Sequence, residues 1–399
     1  MRDNQCDRAE ARLARRTVLC ASGGLIAMTM ATAGSLTARA LAMSPFPAAP
    51  TLGQGSPAGQ PGGQAGTTLL ADLAVQSSAP IVSLLYRHPA DGLRGATARG
   101  AAGVNARWEG GASRQWFIEE QRAGEVAAIG ALLTYDVATI DAALRLLDWG
   151  FARQVADGSF AGSGDPFHST SFFVAAAAHT CLFFQRAAAS GQFPLAGRYL
   201  VRIAAYLPRI RRAARWMVRP SVWSPGFTGN SPFTHRRYLV GAALGLSGAL
   251  TADSALIDRA HAVIADGLSL QRADGSNPER GGHDSSYQMT GVVFAQYWAI
   301  YLPADPLTPA VRAMIGRALS WEATRMLPTG EVTAEGNTRT AGQERGRGGA
   351  IKGVAYSRVI RGFATWAALT GDPAWAELAW RAGRHYYASP SLATLPLLP

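Results

Sequence analysis

The chain has 399 residues, of which 16% are charged, and it carries a formal net charge of +11 at pH 7. A surplus of positive charge favours anionic partners, such as an acidic polymer or an anionic surface. Only three cysteines are present, which excludes the small exported scaffolds that depend on several disulfides.

Residues 1–42 predict an export signal. Arg15-Arg16 precedes a short, mildly apolar segment, and the small residues after it offer cleavage sites following Ala40 and Ala42. These features define a secretory signal peptide, and the arginine pair resembles that of a twin-arginine signal. The apolar segment is too short to span a membrane. We therefore expect a periplasmic or secreted protein that meets no nucleic acid and has no stable membrane insertion after signal cleavage.

A disordered linker is predicted at residues 43–68, because this stretch is rich in Gly, Pro, Ser and Gln and lacks periodic apolar residues. The remaining residues, 69–399, are enough for one large domain. The first 40 residues contain six arginines and three acidic residues, so the rest of the chain keeps about +8 of the formal charge. Cys181 lies alone in an apolar run and is predicted to be a core thiol. The expected partner is an anionic polysaccharide.

The domain is predicted to be all-α, since no segment combines alternating apolar residues with hairpin turns. Some helical segments, such as 138–154 and 197–218, are amphipathic, whereas 169–187 and 285–302 are apolar almost all round and should be buried. Two layers of helices follow from this alternation. The predicted helices are 69–87, 115–134, 138–154, 169–187, 197–218, 235–250, 253–271, 285–302, 308–326, 351–370 and 373–387.

A weak internal repeat joins these helices through tight turns. The turn glycines are Gly158, Gly226, Gly275 and Gly330, which are 68, 49 and 55 residues apart. A period near 50 residues fits one helical hairpin with its loops. The pattern predicts a two-layer (α/α)5–6 toroid, closed or nearly closed, with an open α-solenoid as the alternative. In either architecture, equivalent loops would gather at one end of the inner helices.

The loop DGSNPERGGHDSSYQMTG, residues 274–291, carries much ionisable chemistry for a chain with so few charges. Ser285 and Gln288 have the spacing of a capping box, which predicts a helix start there. Asp284 suits a helix cap, but His283 and Tyr287 do not. Because both are common in proton transfer, we consider them candidate catalytic residues.

Polar residues also open two other buried helices. His168 precedes the helix at 169–187, and His235 and Arg236 begin the helix at 235–250. The N-termini of helices carry partial positive charge, so several of them at one mouth would favour an anion.

A Gly-rich loop at residues 329–359 contains the other candidates. Asn337 and Arg339 together can hydrogen-bond a carboxylate. Lys352 stands out because the other 37 of the 38 basic residues are arginines, and Lys and Arg differ most at close-contact sites. Tyr356 follows Lys352 by four residues, so the two would share a helix face if the helix had begun.

The sequence lacks the motifs of several other kinds of site. It has no HExxH, CxxC or EF-hand pattern, and no Walker loop, GxGxxG after a strand, or GxSxG. We therefore expect neither a metal nor an organic cofactor.

In layout, the chain resembles exported α/α-toroid carbohydrate-active enzymes, polysaccharide lyases in particular. The resemblance rests on units in which a DGS turn and a polar loop lead through His and Tyr into a buried helix. It extends over residues 69–390 and is sharpest at 274–288. The NNHSYW-like stretch of one alginate-lyase family is absent.

The resemblance implies β-elimination of an acidic, uronic-acid-containing polysaccharide. Such an enzyme neutralises the uronate carboxylate, removes the C5 proton and protonates the leaving oxygen. By resemblance, Asn337 and Arg339 would neutralise the carboxylate, His283 would be the base, and Tyr287 would be the acid or base. The residues expected to contact the substrate are His168, His235, Arg236, Glu279, Glu335, Lys352 and Tyr356.

Two other functions fit the same scaffold. An inverting glycoside hydrolase would need two carboxyl groups about 6.5–9.5 Å apart with a water between them. Its candidate carboxyls are Asp165, Glu279, Asp284, Glu335 and Glu344. A non-catalytic polysaccharide-binding or secretion-accessory protein would instead show an aromatic groove without converging ionisable groups.

Overall fold

The computed structural model describes residues 93–340, 342, 344–347 and 349–388, which all belong to one structural unit. The predicted signal at 1–42, the linker at 43–68 and the predicted helix at 69–87 lie outside these residues.

The described part of the chain is mostly helical and contains no β-strand, only isolated bridges, which confirms the all-α prediction. A short 3₁₀ helix, Ile118–Arg122, leads into the second α-helix. The α-helices are α1 (Val104–Glu109), α2 (Ala123–Leu133), α3 (Val137–Phe151), α4 (Pro166–Ala189), α5 (Pro194–Gly197), α6 (Leu200–Ala204), α7 (Leu207–Met217), α8 (Pro220–Asn230), α9 (Thr234–Thr251), α10 (Ser254–Ser269), α11 (Ser285–Tyr301), α12 (Thr308–Thr324), α13 (Tyr356–Thr370) and α14 (Pro373–Ala388).

Five core helices, α2, α4, α9, α11 and α13, pack in that order, each against the next. Each also packs against a flanking helix: α3, α7, α10, α12 and α14, respectively. The sequence explains the division. The core helices α4 and α11 are apolar almost all round and are buried along most of their length, whereas α7 exposes its arginines on one face.

Within the described residues, α4 is the one helix long and apolar enough to cross a membrane by length and composition. In this structure 67% of the most apolar 18-residue stretch of α4 is buried inside the protein. Cys181 lies in the same helix as a buried thiol, as predicted, and burial raises its pKa.

Helix α11 begins at Ser285, as predicted, but its cap differs from the predicted capping box. The carboxylate of Asp284 accepts a hydrogen bond from the backbone N–H of Tyr287 at 3.1 Å, so Asp284 is the N-cap. The Gln288 side chain instead donates to the carbonyl of Gly275 at 3.0 Å and accepts from the backbone of Asn277 at 2.8 Å. It therefore ties the turn before the helix to the helix itself.

Three of the predicted turn glycines share one structural role. Gly158, Gly275 and Gly330 have φ angles of 95°, 93° and 86°. A Cβ at each of them would overlap a backbone carbonyl of a flanking helix, α7, α12 and α14, respectively. A Cβ on Gly100, whose φ is 96°, would overlap α3 in the same way. The repeat is thus a glycine turn that packs directly on the next flanking helix.

The fourth predicted turn, around Gly226, is wrong. Gly226 lies inside α8, a helix that the sequence did not predict. The segment predicted as one helix at 197–218 is also divided, into α6 and α7. Pro208 lies in the first turn of α7 and has no N–H to donate to the carbonyl of Ala204, the residue at which α6 ends, so one continuous helix is disfavoured there.

Gly275→Ala is expected to destabilise the fold by more than Gly191→Ala. Both glycines have positive φ, 93° and 71°, which costs an alanine about 1–3 kcal/mol. Only at Gly275 would the new methyl group also meet backbone, that of Arg317, whereas nothing lies within 4 Å at Gly191. Urea unfolding of both variants measures the difference, for which we expect at least about 1 kcal/mol. Equal losses of unfolding free energy in the two variants would show that α12 can shift to accommodate the new methyl group.

Candidate active site

A cavity of about 1100 Å³ opens where the five core helices begin. Arg122 immediately precedes α2, and His168 lies in the first turn of α4. His235, Tyr287 and Arg358 lie in the first turns of α9, α11 and α13. Because helix N-termini carry partial positive charge, the backbone alone makes this region favourable for an anion.

The side chains that line the cavity add to this positive character. Eight are basic and four are acidic, a formal net charge of +4. The basic residues are Arg107, Arg122, Arg236, Arg339, Arg345, Arg347, Lys352 and Arg358, and the acidic residues are Glu119, Glu120, Asp165 and Glu344. Charge of one sign in a recessed site raises the local concentration of oppositely charged ligands.

Tyr287 is the centre of one hydrogen-bonded cluster. Its hydroxyl donates to Glu344 Oε1 at 3.1 Å and accepts from Lys352 Nζ at 3.1 Å. Lys352 also donates to Glu344 Oε1 at 2.5 Å, and the guanidinium of Arg339 lies 3.5 Å from the centroid of the Tyr287 ring. Burial raises the pKa of Tyr287, although Arg339 and Lys352 oppose the shift, so the phenol keeps its proton at neutral pH.

Glu344 balances the two cations of this cluster. Its carboxylate accepts from Arg339 Nε at 2.7 Å and from Lys352. Burial raises the pKa of Glu344, but the hydrogen bonds from Lys352 and Arg339 outweigh it and lower the value to about 2. The carboxylate is therefore ionised throughout the neutral range.

His235 and Glu279 form a second pair beside Tyr287. His235 Nδ1 lies 2.6 Å from Glu279 Oε1, and the centroids of the His235 and Tyr287 rings are 4.6 Å apart. A carboxylate only accepts, so Nδ1 carries the proton and Nε2 is left with a free lone pair. Burial lowers the pKa of His235, and the nearby Glu279 only partly compensates. His235 is thus neutral and able to accept a proton.

His168 and Arg236 form a further group at the cavity. His168 Nδ1 is buried and has no hydrogen-bond partner among the described residues. Burial, followed by the charge of Arg236 and other nearby cations, places its pKa well below the usual value. Arg236 donates from Nη1 to Asn230 at 2.8 Å, while its buried Nε has no partner in the described part of the chain.

The cavity brings together six of the eleven residues predicted from the sequence. These are His168, His235, Arg236, Tyr287, Arg339 and Lys352. Lys352 reaches the cavity from the loop before α13, since that helix begins only at Tyr356.

The other five predicted residues do not line the cavity. Glu279 lies behind His235 and is buried. Asn337 accepts from the backbone of Ser285 at 3.1 Å and so holds the start of α11. The remaining three lie elsewhere: the His283 ring packs on Trp321 with centroids 5.3 Å apart, Glu335 is exposed, and the Tyr356 hydroxyl accepts from the backbone of Val332 at 2.9 Å.

Arg122 and Arg358 are among the cavity residues that sequence reasoning missed. Both lie at the start of a core helix, as His168 and His235 do. The rule that found the histidines, a polar residue that opens a buried helix, would have found these arginines as well. They were passed over because arginine is abundant throughout the chain.

Fold and site together define an all-α protein with a basic cavity at the N-termini of its core helices. No protein-family model, curated protein or solved structure matches the chain. Among the described residues, no group of three or more His, Cys, Asp or Glu side chains could hold a metal ion.

Proposed function

We propose that the protein is a polysaccharide lyase that cleaves an acidic polysaccharide by β-elimination inside a closed two-layer (α/α)5 toroid. The five core and five flanking helices support this architecture. Ring closure is supported by a contact between the first and last core helices, where Arg361 Nη2 of α13 donates to Glu125 Oε1 of α2 at 3.3 Å.

The observation that carries the proposed reaction is the position of His235 beside Tyr287 at the cavity, where one can act as the base and the other as the acid. His235 Nε2 would take the C5 proton of the uronate, and the electron pair of the broken C5–H bond would form the C4=C5 double bond. The C4–O bond then breaks, and the Tyr287 hydroxyl gives its proton to the leaving oxygen. Transfer of the abstracted proton from His235 to the phenolate restores both groups. Rings whose centroids are 4.6 Å apart are close enough to serve one sugar.

An inverting hydrolase is the second candidate, and Asp165 is the observation in its favour. Burial raises the pKa of Asp165, although Arg236 opposes the shift, as suits a proton donor. The cavity's other carboxylates are less suited to activate water. Glu119 and Glu120 contact Arg347 at 2.8 and 3.2 Å, and Glu344 contacts Arg339 and Lys352. The lyase is therefore favoured.

The cavity is also unlike an aromatic binding groove. Phe172 and Tyr287 contribute the only phenyl or phenol rings among its described lining residues, and no tryptophan lines it. Neutral sugar-binding grooves depend on such rings, so a purely binding role is less well supported than catalysis.

A panel of acidic and neutral polysaccharides tests the proposal, with absorbance at about 235 nm and reducing ends read in parallel. We expect both signals from at least one polyuronate and neither from a neutral glucan, because each elimination leaves a conjugated double bond at the new non-reducing end of one fragment and a new reducing end on the other. New reducing ends without the absorbance would indicate a hydrolase. Neither signal from any polysaccharide in the panel would contradict the proposal that the protein is an enzyme acting on these polymers.

The pH dependence of kcat/KM is expected to show a broad plateau. His235 must be neutral, and burial lowers its pKa below the usual 6.5, so the acidic limb should fall below pH 6.5. Tyr287 must be protonated, and burial raises its pKa above the usual 10.0, so the alkaline limb should lie above pH 10. Initial rates measured across this range, with circular dichroism to monitor folding, give both limbs. An acidic limb above pH 6.5 would contradict the role of His235.

A further inference from the structure

The cations around Tyr287 are already neutralised. Arg339 contacts Glu344 at 2.7 Å and Glu279 at 3.4 Å, and Lys352 contacts Glu344 at 2.5 Å. A substrate carboxylate could recruit these cations only by competing with two buried or half-buried carboxylates. Neutralisation by Arg339, with Asn337 beside it, is therefore poorly supported by the charges at this part of the cavity.

A second group of lining residues carries positive charge that is only partly compensated, since Asp165 opposes the lowering of the Arg236 pKa by burial. It consists of Arg122, His168, Arg236 and Arg358, which we call the cationic wall. These residues come from the 3₁₀ helix, α4, α9 and α13. They are close enough that Arg122 and Arg236 both lower the pKa of His168, and that Arg122 contributes to lowering the pKa of Arg358.

The two guanidinium groups of Arg122 and Arg236 have unused donors. Arg122 Nη1 is buried and makes no hydrogen bond to any described residue. It lies 3.5 Å from Glu119 Oε1, but the same oxygen lies closer to Arg347 Nη1, at 2.8 Å. Arg236 Nε is also buried without a partner among the described residues. Buried donors without partners are costly, so a ligand that accepts from them would gain that energy on binding.

Arg358 and His168 extend the same surface. The Arg358 side chain has no hydrogen bond or ion pair among the described residues, and its guanidinium lies 5.4 Å from the centroid of the Phe294 ring. His168 Nδ1 is buried and has no partner in the part of the chain that the structure describes. Because this histidine is neutral, it can donate one hydrogen bond to an anion without adding another charge to the wall.

We infer that the cationic wall binds the carboxylates of the acidic substrate, which the proposed lyase must hold beside His235 and Tyr287. This inference rests on the proposed function for its choice of ligand. Guanidinium groups are suited to it, since each can bind a carboxylate through two parallel hydrogen bonds. The wall also gives a reason for specificity, because a neutral sugar would leave the same donors unpaired.

The test is a binding measurement that does not depend on turnover. Isothermal titration is carried out with oligogalacturonate, oligomannuronate and oligoglucuronate, and with the methyl ester of each oligomer that binds. The ester keeps the same rings and removes the charge. We expect at least one free acid to bind, and its ester to bind about 10–100-fold more weakly, as for lost hydrogen bonds between charged groups.

Variants then assign the binding to the wall. Arg236→Gln and Arg358→Gln should each weaken binding of the acid about 10-fold and leave binding of the ester unchanged. Arg312→Gln, an exposed arginine on α12 outside the cavity, makes the same change in net charge and is the matched control. Arg358→Lys, which keeps the charge, should retain more affinity than Arg358→Gln; this comparison remains informative if a glutamine variant folds poorly by circular dichroism.

Three results would contradict carboxylate binding by the cationic wall. They are equal affinities for acids and esters, no binding of any acid, and affinities of the wall variants equal to that of Arg312→Gln. These results are separable from the fate of the lyase proposal. Charge-dependent binding that is lost in the wall variants, without any absorbance at about 235 nm, would reject the lyase and keep the wall. Elimination activity with an unchanged KM in both glutamine variants would keep the lyase proposal and reject carboxylate binding by the cationic wall.

Discussion

Tyr287→Phe is expected to lower turnover by about 10²–10⁴-fold, because it removes the proton that the proposed reaction gives to the leaving oxygen. The substitution removes one oxygen atom and almost no volume. Lys352 and Glu344 remain paired with each other at 2.5 Å, so the cavity should keep its shape and most of its charge balance. Binding of a polyuronate oligomer should therefore stay close to that of the unmodified protein.

Initial rates at about 235 nm and titration calorimetry separate these two effects. Tyr135→Phe is the matched control, since it removes the same atom from a tyrosine that is 55% exposed and whose hydroxyl donates to the carbonyl of Gln192. It should change neither rate nor affinity. If Tyr287→Phe keeps nearly full turnover while Asp165→Asn abolishes it, hydrolysis replaces elimination as the proposed reaction.

Glu125→Gln is expected to lower the free energy of unfolding by about 3–5 kcal/mol, the usual result of removing one partner from a buried ionic group. Glu125 Oε1 accepts from Tyr297 at 2.5 Å and from Arg361 at 3.3 Å, and lies 2.6 Å from His179 Nδ1. These residues come from four core helices, α2, α4, α11 and α13. A neutral amide would leave the charge of Arg361 less well compensated in a fully buried position.

Chemical denaturation at several pH values measures this contribution. Burial raises the pKa of Glu125, but Arg361 and His179 outweigh it and lower the value to about 2, from 4.5 in the absence of interactions. The stability that the carboxylate provides is therefore present above pH 4.5 and is lost as the pH falls toward 2. The difference between Glu125→Gln and the unmodified protein should shrink over this interval.

Glu377→Gln is the control for the loss of a carboxylate in an ion pair. Glu377 is 53% exposed and contacts Arg384 at 3.0 Å on α14. Exposed pairs contribute about 0–1 kcal/mol, so its loss should be small. A similarly small effect of Glu125→Gln would mean that packing alone, without this network, holds the core helices together.

The sequence predicted the helices best where the determining signals are local. Helices α9 to α12 start and end within two residues of their predicted bounds, because apolar periodicity and glycine turns mark them. Helix α8 was missed because Pro225 and Gly226 indicate a turn in isolation, whereas in the structure the Phe167 ring packs directly on Gly226. A contact between residues 59 positions apart leaves no local pattern.

The candidate site was predictable to the extent that it depends on helix starts. The sequence placed His235 and Tyr287 at the beginning of buried helices, and both line the cavity. It favoured His283 for the same reason, yet that side chain packs on Trp321 of α12. Which side of a helix start faces a cavity depends on the neighbouring helices, and the sequence pattern does not encode it. The pairing of Glu279 with His235 is likewise a contact across 44 residues.

Lys352 is the only lysine in the chain, and its amine lies at the cavity beside Tyr287 and Glu344. Apart from the amino terminus, an amine-directed reagent therefore has a single target, and a protease specific for lysine has a single cleavage site. A sugar aldehyde coupled by reductive amination would place a covalent label in the cavity at a known position. Burial lowers the pKa of Lys352, but the hydrogen bonds to Glu344 and Tyr287 outweigh this effect, and the net result is a raised pKa. The amine is therefore protonated at neutral pH and should react slowly.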